Sequence, residues 1–370
     1  MGTIIEKIKS IDKRLWLYLG VVLGIIIFAL LISKLVYLVS NSKKSYGDVE
    51  LILKNAGIQY YKDNISLLPK DNGETRSVGD NVLSEEGYMK SLDKLIKNNK
   101  CSGKVTVTKD VEIYNYSAYL DCGKEYKTTE FYKKIIKNTV DSGDGLYEDS
   151  HGYVYRGDNP NNYVKIDDNM WRIVSIDEDN NVELTLDTPV EMITWDDRYN
   201  SDSRSKSGYN TFENSRIKQR LKDIYNGDLL LPESMPILSE ELKTNMVNVN
   251  NCTAKYKPGD SDFSTCSSFN EYPVSIISVV EYIRASIDTK CVSPGNAECQ
   301  NYNYLSKREA FWTLTGNGDN TSEVYMIKLQ GSITSELANG FEDIYPVIKL
   351  ASGTMYSQGN GTANKPYIIR

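Results

Sequence analysis

The sequence predicts an α+β protein with a single N-terminal transmembrane helix, a small disulfide-bonded stalk domain and a larger C-terminal domain of twisted antiparallel sheet. Three observations support this fold class. An uncharged apolar run occupies Leu15–Ser33, short strand patterns recur through the rest of the chain, and 27 Tyr accompany only 7 Phe. At 370 residues the chain exceeds the usual size of a single core, so two folded domains are expected beside the membrane segment.

The apolar segment Leu15–Val39 is predicted to cross a membrane. Its first part, LWLYLGVVLGIIIFALLIS, has no charged residue and is long enough for a hydrocarbon core of about 30 Å. Cleavable signals have shorter apolar regions and a cleavage site of small residues, which KLVYLVSNSKK does not offer. We therefore expect a retained anchor, with Gly20 and Gly24 as a candidate helix-pairing face for a homo-oligomer.

The cysteines predict the orientation of this anchor. All of them follow the apolar segment and fall into three close pairs: Cys101 and Cys122, Cys252 and Cys266, Cys291 and Cys299. Such pairs are typical of disulfides in an oxidising compartment. Residues 1–14 are therefore expected in the cytoplasm, and the domains that follow the anchor are expected outside the cell.

Charge and histidine content exclude several classes of function. The net charge is -7 and no dense Lys/Arg tract occurs, so binding to a nucleic-acid backbone is not expected. His151 is the only histidine, which leaves little material for a zinc site or for Ser-His and Cys-His catalysis. We predict no catalytic residues, no metal and no cofactor.

Residues 45–127 are predicted to form the membrane-proximal α+β domain. Ser45 and Asp48 match a capping box, and the apolar residues that follow share one helical face. Further along, alternating residues predict a β-hairpin with its turn near Lys109–Ile113. Cys101 and Cys122 lie opposite each other in such a hairpin, so a disulfide should close its open end.

Residues 128–144 are predicted to be a linker, because a short helix there ends in the Gly/Asp/Ser run DSGDG. The C-terminal domain should then cover residues 145–370. Strand patterns appear in GYVYRG, NYVKID, MWRIVSI and VELTLDTPV. Two helices are expected, one capped by Asn214 or Ser215 and one by a Ser278–Glu281 capping box. Long polar loops carry the last four cysteines.

The C-terminal domain resembles a known family. Its motifs occur in the family's order: WRIVSI, ENSRIKQRLKDIY, SIISVVEYIRA, FWTLTGNG, EVYMIKLQGSI and YPVIKL. They are similar to a bacterial domain family with a C-type-lectin-like fold, related in shape to formylglycine-generating enzyme. The region before it resembles the stalks of membrane-anchored proteins of Gram-positive gut bacteria. Two arginines common in the family are replaced here, at Thr313–Thr315 and at Tyr345.

The resemblance implies a ligand site on long loops, and the candidate loops are Asn251–Pro273 and Thr289–Tyr304. The candidate ligand-binding residues are five side chains of polar connections: Trp195, Asp196, Asp197, Asp319 and Asn320. Trp195 is expected to be exposed, where it could stack on a sugar ring or fill a pocket of a partner. Trp171 and Trp312 are expected in the core. DEDNN, at 177–181, is expected to be a hairpin turn, since it lacks the pattern of a calcium loop.

Three functions agree with these features. The preferred hypothesis is a non-enzymatic, membrane-tethered extracellular recognition protein, similar to an adhesin, which binds a glycan or a protein through the loops. The first alternative is a structural accessory subunit of a cell-surface assembly. The second is an enzyme on a scaffold like that of formylglycine-generating enzyme, which would require a free, reactive cysteine.

Overall fold

The computed structural model describes residues 21–28, 43–97, 100–111, 113–227, 237–258, 260, 263, 266–293 and 297–369. The chain divides into two compact units, residues 1–127 and 128–370. Both combine helices and strands, with strands predominating in the second, so the predicted α+β class is confirmed. The second unit begins at Thr128, and residues 128–144, predicted as a linker, belong to it.

The predicted membrane segment falls mostly outside the described residues. Residues 21–28 are helical, whereas Gly20 and the rest of Leu15–Val39 lie outside. Within the described ranges, no helix combines the length and apolar character needed to cross a membrane.

The first unit packs one long helix against a three-stranded antiparallel sheet of order β1-β2-β3. Its helices are α1 (Tyr46–Asp63), α2 (Asp80–Glu85) and α3 (Leu92–Leu95), with a 3-10 turn at Ile65–Leu67. Its strands are β1 (Thr75–Gly79), β2 (Ser102–Asp110) and β3 (Ile113–Asp121). The sequence predicted the hairpin of β2 and β3, and the structure adds β1 at its edge.

Helix α1 begins at the predicted capping box. The Ser45 hydroxyl accepts a hydrogen bond from the Asp48 amide, and the Asp48 carboxylate accepts one from the Ser45 amide. On the buried face, Val49 and Leu53 have no solvent exposure. Gly57 lies on this face so close to β2 that an added Cβ would be 2.5 Å from a Val105 methyl. Helix and sheet therefore meet without room for a side chain there.

The hairpin of β2 and β3 has the predicted register. Ser102 is paired with Asp121 and the pairing continues to Asp110 and Ile113. Cys101 and Cys122 lie just beyond the first pair and form a disulfide, as predicted.

The second unit contains the remaining strands and four α-helices in its described part. The helices are α4 (Phe131–Ile135), α5 (Arg216–Asn226), α6 (Glu240–Thr244) and α7 (Val279–Arg284). Further 3-10 turns occur at Ile136–Asn138, Phe212–Asn214, Ala297–Gln300 and Tyr304–Lys307. The strands up to the middle of the unit are β4 (Thr129–Glu130), β5 (Gly145–Asp149), β6 (Gly152–Arg156), β7 (Tyr163–Ile166), β8 (Asn169–Ile176), β9 (Val182–Leu186), β10 (Glu191–Thr194), β11 (Met246–Val247) and β12 (Val249–Cys252). The later strands are β13 (Phe269–Tyr272), β14 (Ser275–Ile276), β15 (Phe311–Gly316), β16 (Glu323–Ile327), β17 (Ile333–Leu337), β18 (Phe341–Ile344), β19 (Pro346–Leu350), β20 (Met355–Gln358) and β21 (Tyr367–Ile369).

These strands form two main sheets and a separate hairpin. The larger sheet has the order β11-β19-β9-β8-β7-β21-β20-β4, with β6 on β8, β5 on β6 and β14 on β19. The smaller sheet has the order β10-β18-β15-β16-β17, and β12 pairs only with β13. Pairing is antiparallel except for β7 with β21 and β15 with β18. The chain passes from the smaller sheet to the larger one between β18 and β19, at Tyr345.

Aromatic side chains fill the core of the second unit. Trp171 and Trp312 have no solvent exposure, as predicted. Trp195 is equally buried, and its indole N–H donates to the Thr313 carbonyl at 3.1 Å. The expectation of an exposed Trp195 is therefore wrong, because the indole is enclosed beside β15 and its single donor is satisfied there.

The two predicted helices of this unit start as expected. Ser215 caps α5 by accepting a hydrogen bond from the Lys218 amide. The helix ends at Gly227, whose positive φ of 84° suits a residue without Cβ. Helix α7 begins with the predicted capping box, in which the Glu281 carboxylate accepts from the Ser278 amide at 2.5 Å.

Candidate functional site

An open cavity of about 690 Å³ lies in the second unit. Its walls come from the turn after β8, the strands β9 and β19, the hairpin of β12 and β13, and helix α7. This volume is within the range of about 300–1,000 Å³ that is usual for ligand sites. The predicted loop Asn251–Pro273 contributes the hairpin wall.

An ion pair between neighbouring strands lines the cavity. Antiparallel pairing of β9 with β19 places Glu183 opposite Lys349. Lys349 Nζ lies 3.7 Å from Glu183 Oε2 and 3.2 Å from Asp177 Oδ2. Both residues of the strand pair are about 95% buried. Two charged side chains have thus been removed from water, which is costly unless their polar atoms are paired.

Glu183 is not fully paired. Its Oε1 atom has no hydrogen-bond donor in the described structure. Burial raises the pKa of the Glu183 carboxyl well above its ordinary value, and the adjacent Glu281 carboxyl raises it further, against the opposing effect of Lys349. A proton on Glu183 therefore relieves both the burial of charge and the repulsion between the two carboxyls.

Lys349 keeps its positive charge through Asp177. Burial lowers the pKa of Lys349, but the carboxylates of Glu183 and Asp177 outweigh that effect and leave the pKa above its ordinary value. When Glu183 is protonated, Asp177 is the nearer counter-charge. Asp177 is held in place by Asn181, whose amide donates to it at 2.8 Å.

The hairpin turn 177–181 forms one acidic edge of the cavity. It connects β8 to β9, as predicted for DEDNN. Asp177 turns towards Lys349, while Glu178 and Asp179 are exposed and line the cavity. The sequence assigned this stretch a turn, and the structure shows that the turn is also a wall of the site.

Arg284 on α7 lines the cavity, but its charge is already engaged. Its guanidinium donates to both oxygens of Asp149 at 2.9 and 3.1 Å, and Arg156 donates to the same carboxylate at 3.3 Å. Burial alone would raise the pKa of Asp149, but Arg284 and Arg156 outweigh it and hold the pKa below its ordinary value.

The β12–β13 hairpin forms a further edge of the cavity and is closed by the Cys252–Cys266 disulfide. Phe269 lines the cavity with 53% of its surface exposed. Asn248, Asn250 and Glu271 are exposed on the same edge. The hairpin thus offers an aromatic face beside polar groups, a combination that can hold a ligand with both apolar and hydroxylated surfaces.

The sequence-predicted ligand residues lie elsewhere and do not form one site. Asp196 is fully buried, with its carboxylate accepting from Arg198 at 2.8 Å and from the Tyr209 amide at 2.8 Å. It organises a loop and is closed to ligands. Trp195 is part of the core described above.

The other three predicted residues are exposed, and each has a local partner. Asp197 pairs with Arg216 at 3.0 Å, and Asp319 lies 3.5 Å from Lys257. Asn320 donates to the Glu323 carboxylate at 2.8 Å. None of the three lines the cavity described above, which we call the Glu183 cavity after its buried carboxyl.

The sequence contained one signal for the cavity. VELTL and PVIKL are strand patterns with one charged residue each, Glu183 and Lys349, among apolar neighbours. Charged residues are rarely buried unless paired. Two such strands predict an ion pair if they are neighbours, but nothing local shows that β9 and β19 are neighbours.

The disulfides agree with the predicted cysteine pairs. Cys252–Cys266 and Cys291–Cys299 are bonded, in addition to the pair of the first unit. No cysteine is free. Among the described residues, no group of three His, Cys, Asp or Glu side chains is arranged to hold a metal ion.

Comparison of this chain with protein-family models, with curated proteins and with solved structures gives no match.

Proposed function

We propose that this chain is a non-enzymatic recognition protein that binds a polar ligand, a glycan or a polar segment of a protein, in the Glu183 cavity. One observation carries the proposal. The open cavity presents the exposed ring of Phe269 beside the exposed polar side chains of Asn248, Asn250 and Glu271. An apolar face next to a few polar groups, in a concave site of this volume, suits a ligand that has both apolar and polar surfaces.

The geometry favours binding over catalysis. Lys349, Glu281 and Arg284 are all held by internal partners, and every cysteine is in a disulfide. A reaction of the formylglycine-generating type would need a reactive thiol. With all six cysteines in disulfides, no residue supplies one.

The proposal also includes a fold type and a cellular location for the second unit. We assign the second unit to the C-type-lectin-like domains because its motifs are collinear with theirs. We place it outside the cell, tethered by Leu15–Val39, because the chain has an uncharged apolar run and three disulfides. Protease treatment of intact cells should remove the region after Lys44, and full protection of that region would contradict the location.

A glycan array tests the binding function directly. The full chain, solubilised in detergent with its disulfides intact, should bind a subset of wall or host glycans. Phe269→Ala should weaken that binding about tenfold or more, since an aromatic contact at a site commonly contributes over 1 kcal/mol. Phe341→Ala is the matched control, because Phe341 is 65% exposed and does not line the cavity. Absence of binding to every glycan and protein ligand tested, or equal loss in both variants, would contradict the proposal.

A further inference from the structure

Strand β3 forms one edge of the sheet in the first unit and is uncharged over most of its length. It pairs with one side of β2, while β1 pairs with the other side. Ile113–Leu120, with the sequence IYNYSAYL, contains no charged residue and no Pro, and its register with β2 has no bulge. Edge strands of natural proteins are usually protected by charge, Pro, a bulge or short length, because their free backbone groups can otherwise pair with another strand.

The other edge strands that the structure describes in the three larger sheets have such protection. Strands β4, β11 and β14 are only two residues long. The remaining edge strands each contain a charged side chain: Arg76 in β1, Glu148 and Asp149 in β5, Glu191 in β10 and Glu336 in β17. A long uncharged edge is therefore particular to β3 among them.

The outer side of β3 presents backbone hydrogen-bonding groups. The N–H and C=O of Lys109 in β2 bond to the chain just before β1. Because backbone groups alternate in direction along a strand, those of Thr108 face β3, where Asn115 is the partner. The residues of β3 whose N–H and C=O groups point away from β2 are then Tyr114, Tyr116 and Ala118. No described residue bonds to these groups on the outer side.

The chain itself covers the last part of this edge. Asp121 forms an isolated bridge with Lys127, and the Cys122 N–H donates to the Tyr126 carbonyl at 2.8 Å. The open part of the edge therefore covers residues 113–119, with Tyr116 at its centre.

From the uncharged sequence and the open edge we infer that β3 pairs antiparallel with β3 of a second copy of this chain, around a two-fold axis at Tyr116. The two three-stranded sheets then form one continuous sheet. Tyr116 exchanges backbone hydrogen bonds with Tyr116 of the second copy, and Tyr114 exchanges them with Ala118. This inference concerns the first unit and goes beyond the proposed function, on which it does not depend.

The side chains of β3 complement each other in this register. Ala118 lies on the sheet face that packs with α1, so the odd-numbered residues lie on the other face. There Ile113 stands opposite Tyr119 of the second copy, and Asn115 stands opposite Ser117. Ile113 and Tyr119 are 59% and 38% exposed in the single chain. A β-branched residue opposite an aromatic one stabilises a strand pair, so the pairing gives both exposed side chains an apolar partner.

Charge also favours a second copy as the partner. The chain has a net charge of -7, so contacts between two copies generally bring like charges together. In the two-fold pairing, each residue of 113–119 meets a residue of the same uncharged segment. Two copies can therefore join along this edge without opposing like charges across the strand pair.

The mass of the full chain in detergent, measured by sedimentation over a concentration series, tests the inference. The wild type should form a dimer. Ser117→Lys adds a charge to the edge of each copy, close to the two-fold axis, and should raise the dissociation constant of the dimer at least tenfold. Thr75→Lys is the matched control, because Thr75 is exposed on the same sheet face but lies in β1, at the other edge. It should leave the dimer unchanged.

Cysteine cross-linking tests the register. Ile113→Cys in one copy and Tyr119→Cys in the other lie opposite each other, so a mixture of the two variants should form an intermolecular disulfide on mild oxidation. Each variant alone should not, because its two added thiols lie at opposite ends of the paired segment. Peptide mapping of the Cys101–Cys122 disulfide checks that the variants retain the fold of the first unit.

The outcomes decide between this edge and other surfaces. A wild type that is monomeric at every concentration would overturn the inference. A dimer that Ser117→Lys leaves intact would also overturn it and assign self-association elsewhere, for example to Leu15–Val39. Equal loss in Ser117→Lys and Thr75→Lys, or a mixture of the cysteine variants that does not cross-link, would overturn the pairing around Tyr116. Ligand binding in the Glu183 cavity should be the same in Ser117→Lys and wild type, so the proposed function is tested separately.

Discussion

At the scale of single residues, Glu183 links the stability of the second unit to its ligand site. Its carboxyl is buried between Lys349 and Glu281, and its pKa is raised by burial and then by Glu281. A raised pKa in the folded state means that the carboxyl favours folding most at low pH. This contribution is lost as pH rises from the ordinary glutamate value through the raised one.

Glu183→Gln should flatten this pH dependence. Between the two pKa values, the wild-type unit should lose about 1.4 kcal/mol of unfolding free energy per pH unit relative to the variant, because the buried group must give up its proton. Chemical denaturation of both proteins over a pH series measures the difference. The exposed turn residue Glu178 supplies the control, since Glu178→Gln should follow the wild type. Parallel curves for wild type and Glu183→Gln would refute a protonated Glu183.

Trp195→Phe should destabilise the second unit by about 2 kcal/mol. The substitution leaves a gap in the core and removes the donor to the Thr313 carbonyl. Tyr199→Phe, at an aromatic residue that is 59% exposed on the same segment, should change stability by less than about 0.5 kcal/mol. Thermal unfolding compares the two. If the stability of Trp195→Phe equals that of the wild type, the indole does not contribute to the core as described.

At the scale of elements, the contact of α1 with β2 depends on Gly57. Gly57→Ala improves helix propensity by up to about 1 kcal/mol, yet its new Cβ would lie 2.5 Å from Val105. Overpacking of this kind typically costs about 1–3 kcal/mol, so net destabilisation of the first unit is expected. Asn55→Ala, at an exposed position of the same helix, should be neutral or stabilising. Denaturant unfolding measures the unfolding free energy of both variants. A Gly57→Ala variant more stable than the wild type would show that α1 can move away from β2 at little cost.

The β12–β13 hairpin should depend on its disulfide. Replacing Cys252 and Cys266 with Ala opens a loop whose ends are 14 residues apart, a loss of about 3 kcal/mol by loop-closure entropy. Because the hairpin carries Phe269 and Glu271, ligand affinity should also fall. Unfolding and titration of the double variant measure both effects. Unchanged affinity would mean that the hairpin is not part of the ligand site.

Elements formed by nearby residues were predictable from the sequence. The capping boxes at Ser45 and Ser278 join residues only three positions apart, so the pattern contains both partners. The hairpin closed by Cys101 and Cys122 is also local, because one turn sets its register. The same holds for the turn at 177–181.

Pairing between strands that are far apart in the sequence leaves no local pattern of this kind. Residues 128–144 look like a linker by composition, but Phe131 and Ile135 are fully buried and β4 pairs with β20 near the end of the chain. The cavity was missed for the same reason. VELTL alternates as if one face met solvent, but every residue of β9 is buried and Glu183 is paired with Lys349 of β19, far along the chain.

At the scale of the whole molecule, the buried residues that the structure describes form two separate hydrophobic clusters, one in each unit. This separation supplies the control for the hairpin experiment. Replacing Cys101 and Cys122 with Ala should destabilise the first unit and leave ligand affinity unchanged, since all the described residues that line the cavity belong to the second unit. Loss of affinity in this variant would assign part of the binding site to the first unit.

The central claim is that the Glu183 cavity is the ligand site of this protein. A crystal structure of the chain with a bound glycan or peptide ligand tests it most directly. The account predicts ligand density in the cavity, against the ring of Phe269 and within about 3 Å of polar atoms of Asn248, Asn250 or Glu271. A sugar bound instead at Asp197 or at Asp319 and Asn320, with the cavity holding only water, would contradict it.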